Sequence, residues 1–349
     1  MTVNSKLKIV VLGASGYTGA ELLRLVAAHG GIEVVAVTAA RRAGSPLGDV
    51  HPHLGGLMLP DLVTVDDVDW STADAVFSCL PHGTAQAAIA SLPGHLKVVD
   101  LSADYRFSDP GVYAEWYGRE HVAPGLQRDA VYGLTEIRRD EITAARVVAN
   151  PGCYTTTSEL PLVPCLEEGL IDTSTIVIDA KSGVSGAGRE ARQSSLHTEV
   201  SEGLRAYGIA RHRHAPEIDQ ELSRAAGQPV TCTFTPHLVP MNRGILATIY
   251  VSLKPGVVHQ DLRAALARRY RDEPFVRLTE EGKAPSTHEV RGSNLCLIGI
   301  FADRVPGRAI LVSALDNLVK GASGQALQNM NVMTGQDETR GLPQVAVFP

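Results

Sequence analysis

Short runs of apolar, β-branched residues alternate with amphipathic segments over the first 150 residues of the chain. The first run, Leu7–Leu12, is a continuous apolar strand pattern, and helical periodicity follows it over Gly19–Ala28. The later patterns are strands at Glu33–Thr38, Ala73–Cys79, Lys97–Leu101 and Arg146–Ala149, and a short helix at Gly83–Ser91. Strands that alternate with helices in this way predict a parallel α/β sheet.

The second half of the chain has a different pattern, in which strands follow one another with fewer helices between them. These strand patterns are Thr175–Lys181, Thr231–Leu238, Ile245–Leu253, Asn294–Phe301 and Ile310–Ala314. They predict a second, α+β domain with a mostly antiparallel sheet. Helical periodicity returns over Asp316–Val332. The segment Ser108–Asp129 is rich in Pro, Gly, Tyr and charge, and it predicts a long surface loop with little regular structure.

Length and composition narrow the function classes. A chain of 349 residues predicts two domains, and 44% hydrophobic with 20% charged residues is ordinary globular composition. The net charge of -6 argues against nucleic acid or an anionic membrane as partner. No apolar run approaches the roughly 18 residues of a membrane span, and the N-terminus lacks a signal-peptide pattern. Five widely spaced cysteines without a Cys-x-x-Cys pair fit a reducing compartment. We therefore expect a soluble, cytoplasmic protein.

A glycine-rich loop joins the first strand to the first helix. Gly13, Gly16 and Gly19 are spaced Gly-x-x-Gly-x-x-Gly. Glycines at this turn let the backbone approach a pyrophosphate, which the helix N-terminus then binds. The alternative is a tight turn of the kind that any doubly wound fold contains. The position after the first strand favours dinucleotide binding, and the loop also contributes Ser15, Tyr17 and Thr18.

The end of the second strand distinguishes the two nicotinamide cofactors. NAD sites tend to have Asp or Glu here, to bind the ribose 2′-hydroxyl. This strand ends at Thr38 and is followed by Arg41 and Arg42, with no carboxylate between. Guanidinium groups pair well with a 2′-phosphate, so the sequence favours NADP(H) over a merely solvated basic turn.

Cys153 is the candidate nucleophile. It follows the strand Arg146–Ala149 and begins a helix-like stretch that ends near Glu168. A helix N-terminus stabilises a thiolate. Pro161 and Pro164 fall inside that stretch, so we expect a kinked or shortened helix. The other thiols lie in apolar runs and are interpreted as structural: Cys79, Cys165, Cys232 and Cys296.

A thiolate needs an acid/base partner, and His212 and His214 are the candidates. They stand with two arginines in the run RHRH. A histidinium can pair with a thiolate and then protonate an alkoxide. Metal binding is one alternative, but i,i+2 spacing of two histidines without a third ligand is poor evidence for a metal site. The other alternative is an exposed basic loop. We predict no metal. His51 and His53 form a second pair, interpreted as loop residues without chemistry.

Taken together, eight segments in order resemble the N-acetyl-γ-glutamyl-phosphate reductases of arginine biosynthesis, which are related to the aspartate-semialdehyde dehydrogenases. The segments are GASGYTG at 13–19, LPHG at 80–83, DLSADYRF at 100–107, YGLTE at 132–136, NPGCY at 150–154, SGVSGAGR at 182–189, HRHAPEI at 212–218 and DNLVKGASGQALQNMN at 316–331. The resemblance implies a Rossmann NADP-binding domain over 1–152, joined by the tail 316–349, and a catalytic and oligomerisation domain over 153–315.

The resemblance also implies roles for individual residues. Cys153 would form a thioester with the substrate acyl group, and His214, or else His212, would be the acid/base. Cofactor contacts would come from the glycine loop and from Pro81, Gly183, Asn317 and Gly321, and substrate contacts from Arg106, Ser182, Ser185 and Glu217. The resemblance further implies a small acyl-phosphate substrate and a dimer or tetramer. Two positions where this family commonly has Pro are Thr135 and Thr155 here.

Other functions remain open at this point. A sister reductase acting on an aminoadipate or aspartyl phosphate would share the Cys and His motifs. A cysteine acyltransferase or hydrolase would use the Cys and His residues without a cofactor. A non-catalytic dinucleotide-sensing module would bind the dinucleotide and use neither the Cys nor the His for chemistry. The glycine loop argues against the acyltransferase, and the presence of both Cys153 and His214 argues against the sensor.

Overall fold

A computed structural model describes residues 6–348, which divide into two compact units. Of these residues, the first unit contains 6–151 and 322–342, and the second contains 152–321 and 343–348. The sequence placed the whole tail 316–349 with the first domain. In the structure, residues 316–321 and 343–348 are grouped with the second unit, and 322–342 with the first.

The strands are numbered in chain order. They are β1 (Leu7–Leu12), β2 (Ile32–Thr38), β3 (Leu62–Val63), β4 (Ala75–Ser78), β5 (Lys97–Asp100), β6 (Val131–Tyr132), β7 (Val147–Ala149), β8 (Val177–Ser182), β9 (Arg205–Ala206), β10 (Thr233–Leu238), β11 (Ile245–Ser252), β12 (Val276–Leu278), β13 (Cys296–Ala302) and β14 (Arg308–Leu315). The sequence missed four two- or three-residue strands, β3, β6, β9 and β12, because so few residues show no periodicity.

The helices are numbered in the same way. They are α1 (Tyr17–Ala27), α2 (Leu47–Val50), α3 (Ala85–Ala90), α4 (Pro110–Tyr117), α5 (Pro124–Asp129), α6 (Thr135–Ala144), α7 (Cys153–Glu167), α8 (His197–Val200), α9 (Ala215–Ala226), α10 (His259–Arg269) and α11 (Gly324–Met333). One π-helical turn, Val319–Ser323, directly precedes α11.

The sheet of the first unit is parallel throughout, in the order β3-β2-β1-β4-β5-β7-β6. This confirms the predicted Rossmann-type sheet. Its central strands read as unbroken apolar runs because both faces are covered, and Ile9, Val10 and Val11 are fully buried. The strand order reverses between β1 and β4, which is where doubly wound sheets bind ligands at the carboxyl ends of their strands.

The sheet of the second unit is mixed, in the order β12-β13-β14-β11-β8-β10-β9. The pairs β8–β10 and β12–β13 are parallel, and the other neighbours are antiparallel, which confirms the mostly antiparallel sheet. Buried and partly exposed residues alternate along β11. That alternation is typical of a sheet with one face against the core. The helix α7 contacts β11 and β14.

The segment Ser108–Asp129 was predicted as an irregular loop, and this prediction is wrong, because the segment contains α4 and α5. Each of these helices has proline at its first position, where the missing N–H costs nothing. Asp109 caps α4 by accepting from Gly111 N at 2.7 Å, and Gly118 ends it in the left-handed region at φ +69°. The Pro residues therefore begin two short helices, and Gly118 ends the first of them.

The helix α7 runs through Pro161 and Pro164 and extends over Cys153–Glu167, so it is not shortened at the prolines. Each proline deprives the carbonyl four residues earlier of its helical donor. Both carbonyls accept a hydroxyl instead: Ser313 Oγ donates to Thr157 O at 2.6 Å, and Tyr270 OH donates to Leu160 O at 2.6 Å. Tertiary hydrogen bonds replace the lost ones, so the helix continues for fifteen residues.

Candidate active site

The second unit places Cys153 at the first position of α7, after an extended N-cap at Gly152. The N–H groups of a first helical turn have no partner within the helix and carry the positive end of its dipole, so they stabilise an anion. Cys153 is partly exposed, whereas Tyr154 to Leu166 are buried. Cys153 therefore lies at the accessible end of an otherwise buried helix, and at the helix N-terminus that the sequence predicted for it.

The imidazole of His214 lies against the backbone directly before that cysteine. A Cβ built on Gly152 would be only 2.5 Å from His214 Nε2. Real Cβ atoms do not approach so closely, so residue 152 must be glycine for the ring to take this position. His214 itself stands at the N-cap position of α9. His214, which the sequence predicted as the partner of Cys153, therefore lies against the residue next to Cys153 in the chain.

His212 has a different environment from His214. Burial, with the nearby His214 and Arg213, lowers the pKa of His212 to about 3, so the ring is neutral near pH 7. Its Nδ1 accepts the backbone N–H of His214 at 3.1 Å. The ring centroid lies 4.8 Å from that of His214 and 5.5 Å from that of Tyr154. These contacts favour a positioning role for His212.

Glu217 was predicted to bind substrate, but its side chain is fully buried. Its Oε1 accepts from Gly152 N at 2.8 Å and from Thr155 Oγ1 at 2.9 Å. Thr155 Oγ1 also lies 2.5 Å from Gly152 O. Burial and these bonds favour a role in holding the start of α7 over a direct contact with substrate.

The segment that begins at Ser182 contributes several predicted residues to the same unit. Ser182 is buried, and its hydroxyl donates to Gly183 O at 3.1 Å. Asn317 accepts from Gly244 N at 2.7 Å and donates to Ser185 Oγ at 2.9 Å. These bonds fix the loop that follows β8.

Two glycines that were predicted to contact the cofactor lie close to other parts of the second unit, one to backbone and one to Cys153. A Cβ on Gly183 would be 2.9 Å from the backbone of Asn242 and Arg243. A Cβ on Gly321 would be 2.8 Å from Cys153 Cβ. The close approach to Cys153 gives Gly321 a steric reason to be glycine that the sequence does not reveal.

Two aromatic side chains beside the histidines, Tyr154 and Tyr207, were not predicted from the sequence. Tyr207 OH donates to Tyr154 OH at 3.1 Å, and Tyr154 OH donates to His237 O at 3.2 Å. Burial raises the pKa of Tyr207 to about 12 and that of Tyr154 further, so both hydroxyls keep their protons near neutral pH. Tyr154 lies in the NPGCY segment, which offered a signal, but Tyr207 stands in a segment without one.

The glycine loop of the first unit has the geometry of a close backbone approach. Gly13 has φ +73°, and a Cβ there would be 2.7 Å from Cys79 O. A Cβ on Gly19 would be 2.7 Å from Ala14 Cα, so α1 lies close to the loop. A Cβ on Gly16, the N-cap of α1, would meet nothing nearer than 3.9 Å. The backbone at Gly16 is therefore open to a dinucleotide, and the loop fits one.

Side chains around this loop hold its shape. Thr38 is buried, and its Oγ1 accepts from Gly13 N at 3.3 Å. Ser323 Oγ donates to Thr18 O at 2.8 Å, while Ser15 and Tyr17 remain accessible. His51 was interpreted as a loop residue without chemistry, and the structure places it in a loop, where it is buried with its Nε2 3.0 Å from Ala14 O. His51 thus stabilises the glycine loop through its contact with the carbonyl of Ala14.

The basic turn after β2 is accessible, since both Arg41 and Arg42 are exposed. Pro81, in the loop after β4, is exposed as well. Arg106 is buried, and its guanidinium donates to Asn150 O at 2.8 Å and to Leu101 O at 3.2 Å. These bonds show that Arg106 stabilises the backbone next to β7.

The remaining thiols contrast with Cys153. Burial raises the pKa of Cys79 and of Cys165 to about 12, and it also raises that of Cys232. Cys296 is buried in β13. Protonated thiols are poor nucleophiles, so these positions fit the structural role that the sequence assigned to them.

Asp100, at the end of β5, supplies a pH-dependent prediction for the first unit. Burial raises its pKa from 3.8 to about 6, although Ser102 Oγ donates to it at 2.5 Å. The folded state therefore binds this proton more tightly than the unfolded state. The associated stability is complete below pH 4 and is lost as the pH rises to about 6. Wild type should therefore lose about 3 kcal/mol of unfolding free energy between pH 4 and pH 7 through this group, and Asp100→Asn should not. Urea unfolding of both proteins at the two pH values measures the difference.

Among residues 6–348, no group of three or more His, Cys, Asp and Glu residues is placed to hold a metal ion. Within the same range, no helix combines the length and apolar character needed to cross a membrane.

The chain matches two family models in sequence. Residues 8–145 match the model described as semialdehyde dehydrogenase, NAD binding domain, and residues 153–317 match semialdehyde dehydrogenase, dimerisation domain. Together these models cover most of the chain, with a boundary near that between the two structural units.

Curated relatives match over nearly the whole length. The N-acetyl-gamma-glutamyl-phosphate reductase of Rhodospirillum rubrum is 57% identical over 99% of this chain and 100% of its own. The probable N-acetyl-gamma-glutamyl-phosphate reductase, chloroplastic, of Arabidopsis thaliana is 57% identical over 98% of this chain and 86% of its own. Identity at this level over both units is evidence of common family membership.

Solved structures share the fold at lower identity. Aspartate semialdehyde dehydrogenase II from Vibrio cholerae, complexed with ASA, has a TM-score of 0.72 and 16% identity, covering 95% of this chain and 99% of its own. Aspartate semialdehyde dehydrogenase with NADP from Candida albicans has a TM-score of 0.70 and 16% identity, with the same coverage.

Proposed function

Because the chain belongs to the N-acetyl-γ-glutamyl-phosphate reductase family, we propose that it reduces N-acetyl-γ-glutamyl phosphate to N-acetylglutamate semialdehyde and phosphate, with NADPH, in arginine biosynthesis. The proposal is carried by one observation. The imidazole of His214 lies against Gly152, the residue directly before a cysteine at the start of a helix. That pairing of a thiol with an imidazole suits covalent acyl chemistry.

Cys153 forms the covalent intermediate. Its thiolate attacks the γ-carbonyl carbon, so that a C–S bond forms, the C–O bond to phosphate breaks, and a thioester remains on the enzyme. When bound, the reduced nicotinamide supplies the hydride that converts this thioester into a thiohemiacetal. The C–S bond then breaks, the semialdehyde leaves, and the thiolate is restored.

His214 is the acid/base in this scheme. As imidazolium it stabilises the thiolate, protonates the oxyanion of the thiohemiacetal and recovers that proton when the C–S bond breaks. His212 stays neutral, since burial lowers its pKa to about 3, and it orients His214 by accepting its backbone N–H. The first-turn N–H groups of α7 stabilise the oxyanion of the tetrahedral intermediate.

The other predicted residues would bind the anionic groups of the substrate and the cofactor. Ser182 and Ser185, in the loop held by Asn317, would contact the substrate, and Arg106 would contribute positive charge to its phosphate or carboxylate. The glycine loop would hold the pyrophosphate, with Ser15, Tyr17, Thr18 and Pro81 beside it. Gly16 supports this, since its surroundings are open.

The choice of NADP(H) over NAD(H) follows from Arg41 and Arg42, which are exposed after β2. A guanidinium pairs with the 2′-phosphate that only NADP(H) carries. We expect the double variant Arg41→Ala, Arg42→Ala to raise the KM for NADPH by about 10- to 100-fold and to leave the KM for NADH nearly unchanged. Steady-state kinetics with both cofactors measure this. Arg128→Ala, another exposed arginine of this unit, is the control and should change neither value.

We also propose a cytoplasmic homo-oligomer, a dimer or tetramer that binds neither nucleic acid nor membrane. Alternate residues of β11 support a self-association surface: Leu246 and Thr248 are partly exposed and Tyr250 is 41% exposed. They lie on the sheet face opposite the buried residues of the same strand.

The reverse reaction tests the substrate. Purified protein is given NADP, phosphate and one of three semialdehydes, those of N-acetylglutamate, aspartate and N-acetyl-aminoadipate. Reduction of NADP should be at least about 100-fold more efficient with N-acetylglutamate semialdehyde, because a site that binds the chain length and the acetyl group discriminates against the others. A preference for either of the other two would make the protein a sister reductase.

A further inference from the structure

The helices that carry the cysteine and the histidine are joined at their starts by one buried carboxylate. Glu217 lies in the first turn of α9, directly after His214 at its N-cap. Its Oε1 accepts the N–H of Gly152, at the N-cap of α7, at 2.8 Å. A second bond to the same oxygen comes from Thr155 Oγ1 at 2.9 Å.

We propose that Glu217 is a positioning residue, whose bonds to Gly152 and Thr155 set the orientation of Cys153 relative to His214. The proposal rests on the proposed function for its effect on turnover. Its effect on the reactivity of the thiol needs no substrate and stands by itself.

The burial of Glu217 supports this role. A carboxylate with no exposed surface is costly unless it is fully hydrogen-bonded, so its bonds must persist for the unit to stay folded. A persistent bridge between two helix starts is a rigid link. The imidazole of His214 has little freedom on the other side, because it already lies against Gly152 Cα. The link therefore fixes the start of α7, which carries the thiol of Cys153, relative to the start of α9, which carries the imidazole of His214.

Thr155 completes the link from within α7. It is the third residue of that helix, and its hydroxyl reaches back to Gly152 O at 2.5 Å as well as to Glu217. The backbone N–H at this position has no helical acceptor. Thr155→Val therefore deletes the hydroxyl and keeps this N–H, whereas Thr155→Pro removes the N–H as well, although no helical hydrogen bond is lost.

The first experiment measures alkylation of Cys153 by iodoacetamide as a function of pH, in the full-length protein. In wild type the thiolate should persist well below pH 8. Glu217→Ala should react about tenfold more slowly at pH 6.5 and close to wild type above pH 9, where a thiolate forms without help. Glu217→Gln retains an acceptor oxygen and should stay within about fivefold of wild type at both pH values.

Turnover provides the second measurement. Glu217→Ala should lower kcat by about 100-fold with the KM for NADPH unchanged, the effect expected for a reacting group displaced by about 1 Å. Thr155→Pro and Thr155→Val should show smaller losses in the same direction. The matched control is Asp219→Ala, which removes another carboxylate of α9 that accepts a backbone N–H, from Cys232 at 2.9 Å. It should lower the melting temperature without changing the alkylation profile.

Three results would overturn the proposal. Glu217→Ala could show the wild-type pH profile of alkylation, or Glu217→Gln could be as impaired as Glu217→Ala, which would make the charge decisive. Asp219→Ala could also shift the profile equally, which would reduce the effect to general destabilisation. If Glu217→Ala does not fold, Thr155→Val carries the test, because it removes only the hydroxyl of the link. Should wild type fail to reduce the proposed substrate, the alkylation profiles still decide the role of Glu217.

Discussion

We expect the Cys153→Ala variant to bind NADPH with wild-type affinity and to have no measurable turnover. The methyl group cannot form a thioester, so the acyl phosphate would have to be reduced without covalent catalysis. We expect kcat to fall on the order of 10⁴-fold or more, the scale of losses when a nucleophile is removed. Fluorescence titration measures NADPH binding, and NADPH oxidation measures turnover.

A control for this experiment lies on the same helix. Cys165→Ala removes a buried thiol whose pKa burial raises to about 12, and whose Sγ lies 3.4 Å from Pro161 O. It should lower the free energy of unfolding slightly and leave kcat unchanged. Appreciable turnover by Cys153→Ala would show that another group attacks the substrate.

The Gly152→Ala variant should lose about 100-fold in kcat although its side chain is only one methyl larger. The added Cβ would lie 2.5 Å from His214 Nε2, and the ring must move to make room. Displacing a general acid/base removes most of its contribution, which is typically about 10²- to 10⁴-fold. Steady-state kinetics measure the loss, and circular dichroism verifies the fold.

A double-variant cycle shows whether Gly152 acts through His214. His214→Ala should cost about as much as Gly152→Ala, and the double variant should be little worse than either, since both remove one interaction. Gly94→Ala is the control, because a Cβ there meets nothing within 4 Å. Additive losses in the double variant would mean that Gly152→Ala acts by another route.

The parallel sheet was predictable because its strands are unbroken apolar runs between helical patterns, a strong signal even from one chain. The two helices in 108–129 were not, since Pro and Gly mark the ends of short helices as well as loops. The continuity of α7 depends on Ser313 and Tyr270, which are more than 100 residues away in sequence. No local pattern reports such tertiary hydrogen bonds.

The same distinction applies to the site. Cys153 was predicted from its place at a helix N-terminus, and His212 and His214 from the concentration of imidazole and guanidinium groups around them. Glu217 was predicted as a substrate contact, and only its burial and its bond to Gly152 indicate another role. Tyr207 was missed because its sequence neighbours form no motif, and its importance comes from contacts with Tyr154 and His212.

One measurement tests the covalent mechanism most directly. The protein is mixed with N-acetylglutamate semialdehyde and NADP in the absence of phosphate, digested at low pH and analysed by mass spectrometry. Without phosphate the thioester cannot be discharged, so the peptide containing Cys153 should gain one N-acetylglutamyl group, and added phosphate should remove it. Full NADP reduction with an unmodified Cys153, or with the acyl group on another residue, would contradict the account.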